Sequence, residues 1–176
     1  AQQSNAGMST VHGDRIRLIK TAELMRDIRL AQSLNQLIQV LTRTLPSILE
    51  ANACGYLTWV QSPRAGVHWE SISGDKGHQL EQSSLTVDRI TEELLKSGEY
   101  QSLTAPSPAL PARLEDFMKR AEMVSLQVLP IFLEEAVRGV LVLGRSVGSA
   151  PWSDLETNAA SEVVQLAVSV YSIRNE

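Results

Sequence analysis

The sequence predicts a mixed α/β (α+β) domain in which an antiparallel sheet is flanked by helices, and three observations predict it. Residues 124–146, VSLQVLPIFLEEAVRGVLVLGRS, carry two apolar runs on either side of Leu133-Glu134-Glu135-Ala136, the pattern of two strands joined by a hairpin. Both ends of the chain show apolar residues at helical spacing instead. Between them, ACGYLTWVQ and VHWESIS are rich in aromatic and β-branched residues and are separated by the turn cluster Ser62-Pro63-Arg64-Ala65-Gly66. A chain of 176 residues, 43% of them hydrophobic, has enough apolar surface for one core and too few residues for two ordinary domains.

Residues 1–13 are small, polar and aperiodic, and read as a flexible arm or an expression remnant. From Asp14, taken as an N-cap, Leu18, Ala22, Met25 and Ile28 recur near heptad spacing, giving a signalling or dimerisation helix over 14–32. Residues 33–176 form the main domain. Ser33 and Gln36 have capping-box spacing, and Leu34, Leu37, Ile38, Leu41 and Leu45 continue a helix to about Glu50, bent at Pro46. After the first hairpin, GDKGHQ reads as loop, VDRITEELLK as a short helix closed by Ser97-Gly98, and YQSL as a short strand. Pro106, Pro108 and Pro111 stiffen the loop before the helix ARLEDFMKRA.

In the second hairpin both faces of each strand are partly apolar: Val137, Leu141 and Leu143 share one face of the return strand, Val140 and Val142 the other. Strands of this kind are covered on both sides. Pro130 cannot donate to a ladder and marks an edge or a bulge. Ser153 and Glu156 cap a final helix with Ala159, Val163, Leu166, Val170 and Ile173 at alternating steps of four and three. Ala160, Val164, Ala167 and Tyr171 widen its apolar surface beyond one sheet contact, so a partner helix is expected, and with the 14–32 stripe this predicts a homodimer through the terminal helices.

A formal net charge of −4 and the absence of a Lys/Arg block exclude a phosphate-neutralising surface, so no nucleic-acid partner is expected. No apolar run approaches the ~20 residues needed to cross a bilayer. No secretory leader opens the sequence, which reads as cytoplasmic without membrane insertion. The single cysteine, Cys54, fits a reducing compartment and reads as a small buried apolar residue.

The order helix, hairpin, loop-rich insert, LPI hairpin with VRGVLVLG, and PWSDLE opening a terminal helix resembles a GAF domain over roughly residues 30–174. Leu129-Pro130-Ile131, Gly139-Val140-Leu141 and Trp152 through Glu156 carry the likeness, and IRLAQSLNQLIQVLTRTL is similar to the first helix of phytochrome-type GAF domains. The resemblance implies N- and C-terminal helices on one sheet face and short helices plus loops over a ligand pocket on the other. It also implies a regulatory role in a longer signalling chain, such as a sensor kinase or a cyclic-dinucleotide enzyme. Bilin-binding relatives attach the pigment through a cysteine near the helix before the LPI strand; here that neighbourhood reads PARLEDFMKRAEM, with Arg113 near the position, so no covalent bilin is expected. The cysteines of the sulfoxide reductases and the Asn-Lys-Phe-Asp-Glu set of the phosphodiesterase GAF domains are also absent, and no enzymatic activity is expected.

Site residues follow from strand parity combined with this resemblance. If Val124, Leu126 and Val128 face the terminal helices, Ser125 and Gln127 face the middle segment as polar points on an apolar wall, joined there by Phe117, Trp69 and Tyr100. The competing reading is that these polar groups satisfy one another and the wall is filled by its own side chains. Arg113 and Asp116 match a short Arg-x-x-Asp pattern of some cyclic-dinucleotide sites, against a solvated face with a Glu115–Lys119 pair. His12, His68 and His78 lack metal-ligand spacing, and no metal site is expected.

Overall fold

The computed structural model describes residues 2–60, 66–83, 85 and 88–174. Its elements run α1 (Gln2–Leu30), α2 (Leu34–Leu49), β1 (Ala53–Val60), β2 (Gly66–Ser73), α3 (Gly77–Gln82), α4 (Arg89–Leu95), β3 (Gln101–Thr104), α5 (Ala112–Arg120), β4 (Met123–Leu133), β5 (Ala136–Ser146) and α6 (Asp154–Arg174). The strands form one antiparallel sheet in the order β2-β1-β5-β4-β3. The five strands and the two-sided second hairpin are as the residue pattern predicts.

Two local expectations change. The first helix begins at Gln2, so Asp14 lies inside it and the backbone of 2–13, read as an arm, is helical. GDKGHQ is not all loop, because Gly77–Gln82 forms α3. Helix α2 runs through Pro46 to Leu49. Pro46 has no N–H, which leaves the Thr42 carbonyl without its helical donor. The Ser73 hydroxyl at the end of β2 donates to that carbonyl and ties the helix to the sheet. The turn expected at 62–66 falls largely outside the described residues, as do the side chains of His12 and His68.

Two apolar layers sandwich the sheet. On one face Leu24, Met25 and Ile28 of α1, Leu37, Ile38, Leu41 and Leu45 of α2, and Ala160, Val164 and Ala167 of α6 pack on Cys54, Tyr56, Leu129, Ile131, Leu141 and Leu143. On the other, Leu80, Leu95, Leu114, Phe117 and Met118 from α3, α4 and α5 pack on Leu57, Leu126, Val128, Val140 and Val142. Each fully buried Leu or Phe contributes about 1.5–3 kcal/mol relative to exposure. The second hairpin is therefore central, and its runs are apolar on both faces. Strand β3 ends at Gln101 opposite Val128, so beside Pro130 the outer side of β4 carries no strand, and a register shift follows at Ile131/Phe132. Proline is accommodated there because both of its usual exemptions apply.

The helix layer is held by a knot around Arg145, which is 6% exposed. Its guanidinium pairs with Glu156, donates to the Leu49 and Glu50 carbonyls closing α2 and to the Ala150 carbonyl, and stacks 3.6 Å from the Trp152 ring. Glu156 also completes the capping box expected from sequence: its backbone N–H donates to Ser153 Oγ at 3.1 Å and its carboxylate accepts from the Ser153 N–H at 3.1 Å. Burial alone would raise the Glu156 pKa, but the Arg145 and Ser153 hydrogen bonds and the Arg145 charge hold it below the usual carboxylate value.

Candidate functional site

The face under α3, α4 and α5 is built by strand alternation. Along β1, Ala53, Gly55, Leu57 and Trp59 share one parity, and Ala53, Leu57 and Trp59 belong to the layer under these helices. Gly55 is required there because a Cβ would sit 2.4 Å from Trp69 Cζ3, so the missing side chain lets the indole lie over the strand. Trp69 stacks on Phe117 of α5 with ring centroids 6.2 Å apart and 26° between planes. Phe117 is fully enclosed, while Trp59 and Trp69 are only half-buried. Lys96, paired with Glu92, holds its ammonium 5.1 Å from the centroid of the Trp59 ring. Trp59 Nε1 is buried and has no hydrogen-bond partner among the described residues. The face thus presents two half-buried indole surfaces and a nearby cation, the kind of wall that holds a flat or apolar ligand with a few polar points.

Of the six residues expected at the site, Trp69 and Phe117 come together here. Ser125 and Gln127 do not. Leu126 and Val128 turn toward α5, and Ser125, Gln127, Leu129 and Ile131 turn toward the terminal helices, the reverse of the expected parity. Ser125 Oγ accepts the Trp152 N–H at 3.3 Å, and both amide atoms of Gln127 are buried without a protein partner among the described residues. Ser125 and Gln127 share their face with Leu129 and Ile131, which pack into the layer of the terminal helices.

Tyr100 is a second correction. It packs against the helix layer and borders a groove with Phe132, Gln165, Val168 and Ser169, and burial raises its pKa. Arg113 is exposed on α5, where Asp116 pairs with Arg120 at 3.0 Å; the expected Glu115–Lys119 pair is not among the ion pairs of the described residues. Trp59 was missed, although its period-two spacing from Leu57 placed it on the same face. Lys96 gave no signal, since its approach to Trp59 depends on how α4 docks.

The GAF domain family model matches residues 33–170, and the chain belongs to that family. Among solved structures it is similar to the phycoerythrobilin-bound GAF domain of a cyanobacterial phytochrome, at 15% identity over 89% of this chain and 96% of that one, with a TM-score of 0.65. It is similar at 18% identity to a GAF domain/HD domain protein from Geobacter sulfurreducens, covering 80% of this chain and 93% of that one with a TM-score of 0.57. A third is a GAF domain assigned to a sensor histidine kinase of Pseudomonas syringae pv. tomato, at 16% identity over 98% and 95% of the two chains, with a TM-score of 0.55. At these identities the likeness defines the fold. Among curated proteins none matches the chain.

Proposed function

We propose that this GAF domain is a regulatory sensory module that binds a small molecule non-covalently between the sheet and helices α3, α4 and α5, within a cytoplasmic signal-transduction protein, and that it has no catalysis of its own. The observation that carries the reading is the pair of half-buried indoles, Trp59 and Trp69, beside the enclosed Phe117, with the Lys96 ammonium over Trp59. Solved GAF domains of a phytochrome and of an assigned sensor kinase supply the sensory context. The parent protein on this reading is a sensor kinase or a cyclic-dinucleotide enzyme.

The test is thermal shift and tryptophan emission against a metabolite panel, with wild type, Phe117→Ala and Trp69→Phe. A ligand at a hundred times its Kd stabilises by about 2.7 kcal/mol, and binding on this wall changes the emission of two of the three tryptophans. A panel that moves neither signal overturns the sensor reading.

A second reading, a dimerising relay, has its own observation. Leu155, Leu166 and Ile173 of α6 are 81%, 49% and 77% exposed, and Leu18 and Ile19 of α1 are 71% and 59% exposed. Met25 and Ile28, expected in that seam, pack instead inside the chain's own core. Leu166→Glu should therefore leave the fold intact while shifting a dimer to monomer in sedimentation; a wild type monomeric across micromolar concentrations sinks this reading.

A further inference from the structure

On the opposite face of the sheet from the tryptophan wall, a groove of about 660 Å³ opens between the first turn of α2 and strands β2, β1 and β5. Its floor is apolar, from Leu34 and Ile38. Its rim carries opposite charges: Glu70 on β2 and Arg138 on β5, with Tyr56 and Thr58 of β1 between them. Glu70 and Arg138 lie on strands two positions apart in the sheet, with β1 between them. Among the described residues the two do not form an ion pair with each other. Glu70 accepts the Thr58 hydroxyl at 3.1 Å, and Arg138 reaches back to Glu134 at 2.7 Å, an i,i+4 contact on an 85% exposed carboxylate. Such a surface contact exchanges readily for another anion.

Tyr56 at the base is 2% exposed and is seated by Gly139, where a Cβ would fall 2.4 Å from the phenol oxygen. Burial, with the Glu70 charge adding and the Arg138 charge opposing, pushes its pKa up to about 12, so the phenol stays protonated at neutral pH. A cation held only by an exposed carboxylate and an anion that accepts one hydroxyl line the same groove as a protonated phenol and an apolar floor, and a zwitterion offers the complementary charge to each.

We propose that this groove binds a small zwitterion of the α-amino acid class, with its carboxylate on Arg138, its ammonium on Glu70 and an apolar side chain over Leu34 and Ile38. The site is separate from the tryptophan wall, and neither depends on the other. The experiment is calorimetric titration of the protein with the common L-α-amino acids as probes, followed by the N-acetyl and methyl ester forms of the tightest binder. An apolar amino acid should give a saturable isotherm. Blocking either end should weaken it at least about tenfold, as the loss of a charge-assisted hydrogen bond does. Arg138→Gln and Glu70→Gln, both at exposed positions, should each cost a similar factor, while Arg89→Gln, an exposed charge on α4, should leave the Kd unchanged. The proposal is overturned if no amino acid saturates, if the blocked forms bind as well as the free one, or if binding responds to Arg89→Gln and not to Arg138→Gln or Glu70→Gln.

Discussion

Replacing Gln127 by Leu should stabilise this protein, although it removes a polar residue from the middle of a sheet strand. Gln127 is 0% exposed, and its Oε1 and Nε2 lack a protein partner among the described residues. Each buried, uncompensated amide group costs about 1–3 kcal/mol in protein substitution data. Leucine has nearly the same volume, so the repacking cost is less than about 1.5 kcal/mol. With two such groups relieved and one repacking offset, the net gain is about 2 kcal/mol, which for a chain of this size raises Tm by roughly 4–8 °C. Urea unfolding followed by circular dichroism measures it. Ser102, the cross-strand neighbour on β3, also has a buried hydroxyl without a partner among the described residues, so Ser102→Ala and the double variant complete a cycle, whose coupling should be near zero if the amide is unsatisfied. A loss of stability in Gln127→Leu, or a coupling above about 1 kcal/mol, would show that the amide is hydrogen-bonded in solution and refute the reasoning.

Three further outcomes follow from features described above. The β4–β5 turn places Glu134 and Glu135 at φ 53 and 63, a left-handed pair that favours Asn and Gly; Glu135→Gly should stabilise by about 0.5–1 kcal/mol in urea titrations and leaves the Glu134–Arg138 contact in place. Because the folded-state pKa of Glu156 is depressed, its contribution is fully present above the unfolded value of 4.5 and is lost as pH falls through the folded one; the drop in urea midpoint below pH 4.5 should be shallower in Glu156→Gln than in wild type. Cys54 is fully buried and its thiol is pushed far up by burial, so a disulfide reagent should label it only at the rate of unfolding, and co-expression with bilin-producing enzymes should give no covalent adduct. A zinc-dependent fluorescent band in denatured protein would contradict the second half.

The sheet was legible because central strands advertise themselves: Val140 and Val142 against Leu141 and Leu143 can only mean cover on both faces. The capping box at Ser153 and Glu156 was legible for the same reason, as a local pattern with a local cause. What the residues did not disclose is which face is which. When both faces are apolar, alternation separates Ser125 and Gln127 from Leu126 and Val128 without saying which set meets the terminal helices. Tyr100 precedes a strand of four residues, too short for alternation to fix its side. The second groove draws Leu34, Tyr56, Glu70 and Arg138 from four elements, and no spacing in sequence brings them together.

The Arg145 knot has a mechanical consequence. Because one guanidinium grips the last carbonyls of α2 and the first turn of α6, those two helices share a common base on β5. Among the described side chains, α1 meets that layer along Leu24, Met25 and Ile28, with Lys20 donating to the Ser47 carbonyl of α2, and the backbone before Lys20, about 18 residues at ~1.5 Å each, extends roughly 27 Å from there. It is a lever with its fulcrum near one end. A tilt of about 5° at the fulcrum sweeps the far tip through roughly 2–3 Å, about half a helical pitch. A displacement too small to resolve within the sheet is therefore multiplied along α1, so a distance label placed on the far part of that helix is the sensitive position from which to read this domain's state.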